Sequence, residues 1–178
     1  RQGYSPAPFY LVQQSDQGET RFVAWTSELR QLKQLIDSIL DTFPDEVEVL
    51  LKVDTGETED QDIVWNRYVG RASRKAVREA LVNYERYVFQ DGDNQLCVKR
   101  PDTDEYFALD HCGVLYVYSS SPQLADLCAG AGFARQHTAE LISDAGHWRV
   151  SLKDGEQLRE GLIHQLGLAL DVSCGPSE

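Results

Sequence analysis

Methionine is absent from all 178 residues, and the chain opens on Arg1. A removed natural start is expected from this. Long apolar runs are absent too. A membrane helix needs about 20 apolar residues in succession, and the longest runs here resemble VLYVY at 114–118. No basic-then-apolar leader opens the chain, so no secretion signal is read. Cysteine is sparse: Cys97, Cys112, Cys128 and Cys174. None pairs with another at CxxC spacing, which removes the usual zinc signature, and the density is low for a disulfide scaffold. Reduced thiols, a cytoplasmic location, no metal and no cofactor are the expectations.

Positive charge is also scarce. Lys and Arg number 17 against 29 Asp and Glu, for a net charge of −12. Generic nucleic-acid binding needs a basic stripe to neutralise phosphates, so it is not expected, and neither is membrane binding. An acidic surface gives solubility, and it suits a partner that is itself basic.

What is present is a core. Hydrophobic residues make up 42% of the chain, above the range of disordered sequences. The length fits one domain over 1–178; two halves meeting near 54–72 is the alternative. Periodicity predicts a strand at 8–14, a polar turn at 15–19 and a returning strand at 21–25. A helix follows at 26–43, with Leu29, Leu32, Leu35, Ile36, Ile39 and Leu40 on one face. Thr26 or Ser27 can cap it and Pro44 ends it.

EVEVLLKV at 46–53 alternates and predicts a strand, DTGETEDQD at 54–62 a solvated loop, and IVWNRYVG at 63–70 a short strand. SRKAVREALVNYERY at 73–87 predicts a helix. YVFQ, LCVKR, YFAL and VLYVYS, from 87 to 119, predict an antiparallel meander with turns between them. SPQLADLCAGAG at 121–132 predicts a helix, HWRVSL at 147–152 a strand, and 154–170 a last helix with a capping box at Asp154 and Gln157. The fold class is α+β: a mainly antiparallel sheet with three to four helices packed on one face.

Several residue groups carry candidate chemistry. Asp110, His111 and Cys112 put a carboxylate, an imidazole and a thiol side by side. Catalytic partners usually come from separate segments, and the strand-like flanks with Gly113 predict a hairpin turn instead. A nucleophilic site would need Cys112 to meet His137 or His147 across the fold. A second group is Arg71, Arg74, Lys75 and Arg78 at a helix start, where an anion could bind through free N–H groups. It lacks the GK[ST] ending of a phosphate loop, and a solvated face is the plainer explanation. Third, Asp54, Glu57, Glu59, Asp60 and Asp62 form an acidic surface that fails the calcium-loop pattern. Fourth, Tyr106, Phe107, Tyr116 and Tyr118 recur on neighbouring expected strands, and Tyr116 and Tyr118 share one face. Tyrosine favours interfaces, though it also stabilises sheets through cross-strand pairs.

The leading expectation is a non-enzymatic acidic interaction module of the inhibitor or immunity, adaptor or chaperone kind. It engages a basic protein through the acidic loop and the tyrosine face. The alternative is a small enzyme with a Cys/His site, or an anion site at 70–78.

Overall fold

The computed structural model describes residues 7–14, 19–57, 63–139 and 151–172. In chain order the elements are β1 Phe9–Gln14, β2 Thr20–Trp25, α1 Leu29–Asp41, β3 Glu46–Glu57, β4 Ile63–Ser73, α2 Arg74–Asn83, α3 Glu85–Gln90, β5 Asn94–Lys99, β6 Tyr106–Leu109, β7 Leu115–Tyr118, α4 Gln123–Gly130, β8 Ala134–Arg135, α5 Gly155–Leu166 and β9 Ala169–Leu170. The strands form one nine-stranded sheet in the order β8-β1-β2-β7-β6-β5-β3-β4-β9. Every pairing is antiparallel except the short one between β1 and β8. The α+β expectation therefore stands in its coarse form, with five helices among the described residues instead of three to four. The sheet includes 54–57 and 63–72, because β3 pairs with β4 on one side and with β5 on the other.

The main core lies on one face of this sheet. Alternation places Val47, Val49, Leu51 and Val53 of β3, Leu96 and Val98 of β5, Phe107 and Leu109 of β6, and Leu115 and Val117 of β7 on that side, all buried. The helices cover them. Leu32, Leu35, Ile36, Ile39 and Leu40 of α1 recur at helical spacing and are all buried. Val77, Ala80 and Leu81 of α2, Leu124 and Cys128 of α4, and Leu162 and Leu166 of α5 join the same cluster.

The fifth helix takes its last four residues from a stretch expected to be a strand. YVFQ belongs to α3, where Tyr87 and Val88 are buried against the core. A short apolar run has no periodicity that separates helix from strand, and here packing decides for the helix. Asn94 closes it: its side-chain amide donates to the carbonyls of Tyr87 and Asp91 at 2.8 and 3.0 Å.

Other expectations shift in detail. The loop expected to begin at Asp54 begins later, because β3 runs on to Glu57 with a bulge between Asp54 and Glu57. β4 is eleven residues long, longer than the expected short strand. The capping box at Asp154 is not formed; its carboxylate pairs with Arg86 at 2.8 Å instead. The turn at 15–18, most of the strand expected at 147–152, Cys174 and the chain's tail lie outside the described residues. No helix among the described residues is long and apolar enough to cross a membrane.

Candidate functional site

Among the described residues, the face of the sheet opposite the helices is covered at one end. There Phe9, Leu11, Val23, Trp25 and Val114 form a second, smaller buried cluster, joined by Ala139 from the segment after β8. No described residue covers the middle of the face. Its residues fall into rows that cross the strands, because each antiparallel pairing sets one side chain opposite the next. The middle row is Val69, Leu50, Cys97, Ala108 and Tyr116, on β4, β3, β5, β6 and β7 in turn. On one side of it run Arg71, Glu48, Lys99, Tyr106, Tyr118 and Arg21. On the other side run Arg67, Lys52 and Gln95.

Cys97 and Ala108 are small, and the residues beside them are long. The middle row is therefore the floor of a trough. Two adjoining cavities occupy it, each about 520 Å³, and they share Lys52, Cys97 and Tyr106. Five strands lie about 4.8 Å apart, so the floor from Val69 to Tyr116 spans about 19 Å over four spacings. It is apolar along its length, while its walls are charged and phenolic.

The phenolic wall is held by contacts among its own residues. The rings of Tyr106 and Tyr118 stack at 4.3 Å and 15°. The Arg21 guanidinium donates to Gln13 Oε1 at 3.0 and 2.6 Å and to the Tyr118 hydroxyl at 3.3 Å. It also lies over the Tyr116 ring, 5.4 Å from its centre. Burial, and then the neighbouring Tyr118, push the Tyr106 hydroxyl above its ordinary range. Burial likewise raises the Cys97 thiol, with the Lys52 ammonium acting in the other direction. Burial thus favours the neutral thiol form of Cys97 on the floor.

Among the described residues lining the trough, cations outnumber carboxylates, the reverse of the whole chain. Arg21, Lys52, Arg67, Arg71 and Lys99 meet only Glu48 and Asp110 among the trough-lining carboxylates. Arg71 bridges to Glu48 at 3.1 Å and to Glu46 at 3.5 Å, and Lys99 bridges to Asp104 at 3.2 Å. Lys52 makes no ion pair among the described residues. It faces Arg67 directly across the β3–β4 pairing, and like charges so placed weaken a sheet.

The other candidate residues take up separate positions. Asp110 to Gly113 form the β6–β7 hairpin turn. The Asp110 N–H donates to the Val114 carbonyl and the Gly113 N–H to the Asp110 carbonyl, both at 3.0 Å. Asp110 Oδ1 accepts the N–H groups of Cys112 and Val114 at 2.8 Å each. Gly113 takes φ +73°, a conformation that glycine adopts without steric penalty. Cys112 is half-buried against the smaller apolar cluster, and the His111 ring sits 3.5 Å from the Gln95 amide. His137 is exposed just past β8, and His147 lies outside the described residues.

The four cations of the helix start are engaged by carboxylates and carbonyls. Arg74 donates to the carbonyls of Leu40, Asp41 and Phe43 at 3.4, 3.2 and 2.9 Å, and to Asp45 at 2.9 Å. It thereby satisfies the free carbonyls at the end of α1. Arg78 bridges Asp37 and Asp41 at 2.5 and 2.6 Å, and these hydrogen bonds raise its pKa. Lys75 pairs with Glu79 at 3.7 Å, and Ser73 caps α2 by accepting the Ala76 N–H at 3.0 Å. Arg74 and Arg78 thus fasten α2 to α1.

Of the acidic group, Asp54 accepts the Gly56 N–H at 2.8 Å on the β3–β4 arm, and Glu57 ends β3. Glu59, Asp60 and Asp62 lie outside the described residues. Among the described residues no cluster of His, Cys, Asp and Glu is arranged to hold a metal ion.

Tyr116 and Tyr118 thus meet Arg21, Lys52, Cys97, Lys99 and Ala108, which the sequence reading did not single out. A signal for Lys52 was present: it is the one cation in the acidic stretch from Asp37 to Asp62. Comparison with protein-family models, curated proteins and solved structures found no match to the chain.

Proposed function

We propose that this chain is a non-enzymatic interaction module that receives a protein partner on the open face of its sheet. The observation that carries the reading is the trough. The helices leave one face uncovered, and its centre is an apolar floor between walls of tyrosine and cation. Interfaces favour tyrosine and arginine over a dry apolar centre. The wall residues are already held in place, which lowers the ordering cost of binding. A nucleophilic reading draws less support, since Cys112 belongs to a hairpin turn and neither it nor His137 lines the trough. An anion site at 70–78 is also less favoured, because Arg74 and Arg78 are committed to α1.

The net charge of −12 suits a partner that is basic overall. The cations around the tyrosines favour the opposite sign in the segment that touches them. The test is affinity capture from the source cell, comparing the wild-type chain with Leu50→Ser on the trough floor and Val82→Ser on the helical side. Proteins retained by wild type and by Val82→Ser, but lost with Leu50→Ser, are expected. Retention that ignores Leu50 and depends on Val82 would count against this face.

A further inference from the structure

Resting on the interaction reading above, we infer that the trough accepts an extended polypeptide segment that is acidic and carries apolar side chains. Three observations lead there. The first is local charge. Lys52 stands at the middle of the trough with no ion pair among the described residues, directly opposite Arg67. An anion that settles beside Lys52 gains that charge and offsets its repulsion with Arg67. Arg21 contributes another positive charge, and its hydrogen bonds go to the neutral groups of Gln13 and Tyr118.

The second observation is shape. Among the described residues the trough is open along its length, so it does not enclose a compact small molecule as a ligand pocket does. Its floor of about 19 Å matches about six residues of an extended chain at 3.3 Å each. Apolar side chains of that chain would cover Leu50, Cys97 and Ala108, and carboxylates would reach Lys52 and Arg21.

The third observation separates a polypeptide from a nucleic acid, the other anionic polymer. Single strands bind sheets by stacking bases on free aromatic faces. Here the rings of Tyr106 and Tyr118 stack on each other, and Arg21 lies over Tyr116. What these residues present is hydroxyls and cations, the groups that hold carboxylates.

The experiment is selection of a phage-displayed random peptide library on the immobilised full chain. Lys52→Glu, Lys52→Ser and Leu50→Ser are selected in parallel, and labelled oligo-dT is titrated separately. Lys52→Glu replaces a like-charge neighbour of Arg67 with an opposite one, so it should fold; circular dichroism checks this, and Lys52→Ser serves if it does not. The expected result is enrichment of peptides rich in Asp and Glu with interspersed apolar residues. Their recovery should fall about tenfold with Lys52→Glu, less with Lys52→Ser, and also with Leu50→Ser. Basic or uncharged peptides that still need Leu50 would overturn the acidic assignment while leaving the interaction face in place. No enrichment, or enrichment indifferent to both Leu50 and Lys52, would overturn both. Oligo-dT binding tighter than the selected peptides would overturn the polypeptide assignment in favour of nucleic acid.

Discussion

The two faces of the sheet are built from the same strands and follow opposite rules. On the helical side β3, β5, β6 and β7 present Val49, Leu51, Leu96, Val98, Phe107 and Val117, each buried. One residue along, the same strands present Leu50, Lys52, Cys97, Lys99, Tyr106 and Tyr118, none fully buried. Adjacent side chains on a strand point to opposite faces, so a single segment serves both roles. The helical face is large, branched and aromatic because its task is to exclude water. The open face alternates long polar residues with a row that narrows to Cys97 and Ala108, a shape that leaves room. The comparison teaches that burial on one face frees the other to carry charge.

The sharpest test of this contrast is on the buried side. Phe107 is fully buried and packs 6.0 Å from the ring of Phe43. Phe107→Ala should cost about 3–5 kcal/mol, from lost burial plus the cavity left behind. Urea unfolding would measure it, and a loss under about 1 kcal/mol would mean that the face is not packed as described.

A smaller effect is expected where α2 fastens α1. Arg74→Ala should lower stability by about 2 kcal/mol, since a charged donor to three helix-end carbonyls is removed. Arg74→Lys should recover only part of this, because an ammonium lacks the planar fork. The same unfolding assay reads both variants.

Alkaline conditions extend the comparison to the buried thiol. Burial pushes Cys128 from an ordinary 9.0 up to about 12. Below 9.0 the thiol is protonated in both folded and unfolded chains, and its contribution is constant. As pH rises from there towards about 12, the unfolded chain releases a proton that the folded chain keeps. Stability should therefore fall across that window, helped by the raised Tyr87 and Tyr106 hydroxyls. Melting temperatures should decline above pH 9, and Cys128→Ala should flatten the slope; an unchanged slope would show that Cys128 does not carry it.

The smallest stability effect belongs to the open face. Leu50→Ser and Lys52→Glu should each change unfolding free energy by about 0.5 kcal/mol or less, while altering what the trough binds. If either destabilised the fold as much as Phe107→Ala, the functional contrast between the faces would collapse.

Much of the strand and helix content was legible in advance, for reasons that particular residues make plain. The run EVEVLLKV alternates, and β3 buries its odd-numbered valines and Leu51 as that alternation requires. The helical spacing of Leu32, Leu35, Ile36 and Ile39 became the buried face of α1. Leu115 and Val117 are buried, while Tyr116 and Tyr118 are only half-buried on the other side, as their spacing implied. YVFQ forms a helix against expectation because three apolar residues in a row have no period, and contact with the core chose the helix. The trough was not legible at all. It needs Val69, Leu50, Cys97, Ala108 and Tyr116 in one line, and that line exists only after five strands have paired in register.

By itself, then, the sequence determined which residues alternate, which spirals have an apolar stripe, where Gly113 turns the chain, and that the whole is acidic. These are local properties, set by backbone sterics and side-chain spacing over a few residues. The tertiary structure alone decided the strand order, the helical fate of α3, the clamp of Arg74 on α1, and the cationic trough inside an acidic protein. Those depend on which distant segments pair and at what register, a choice made by burying one face of every strand at once.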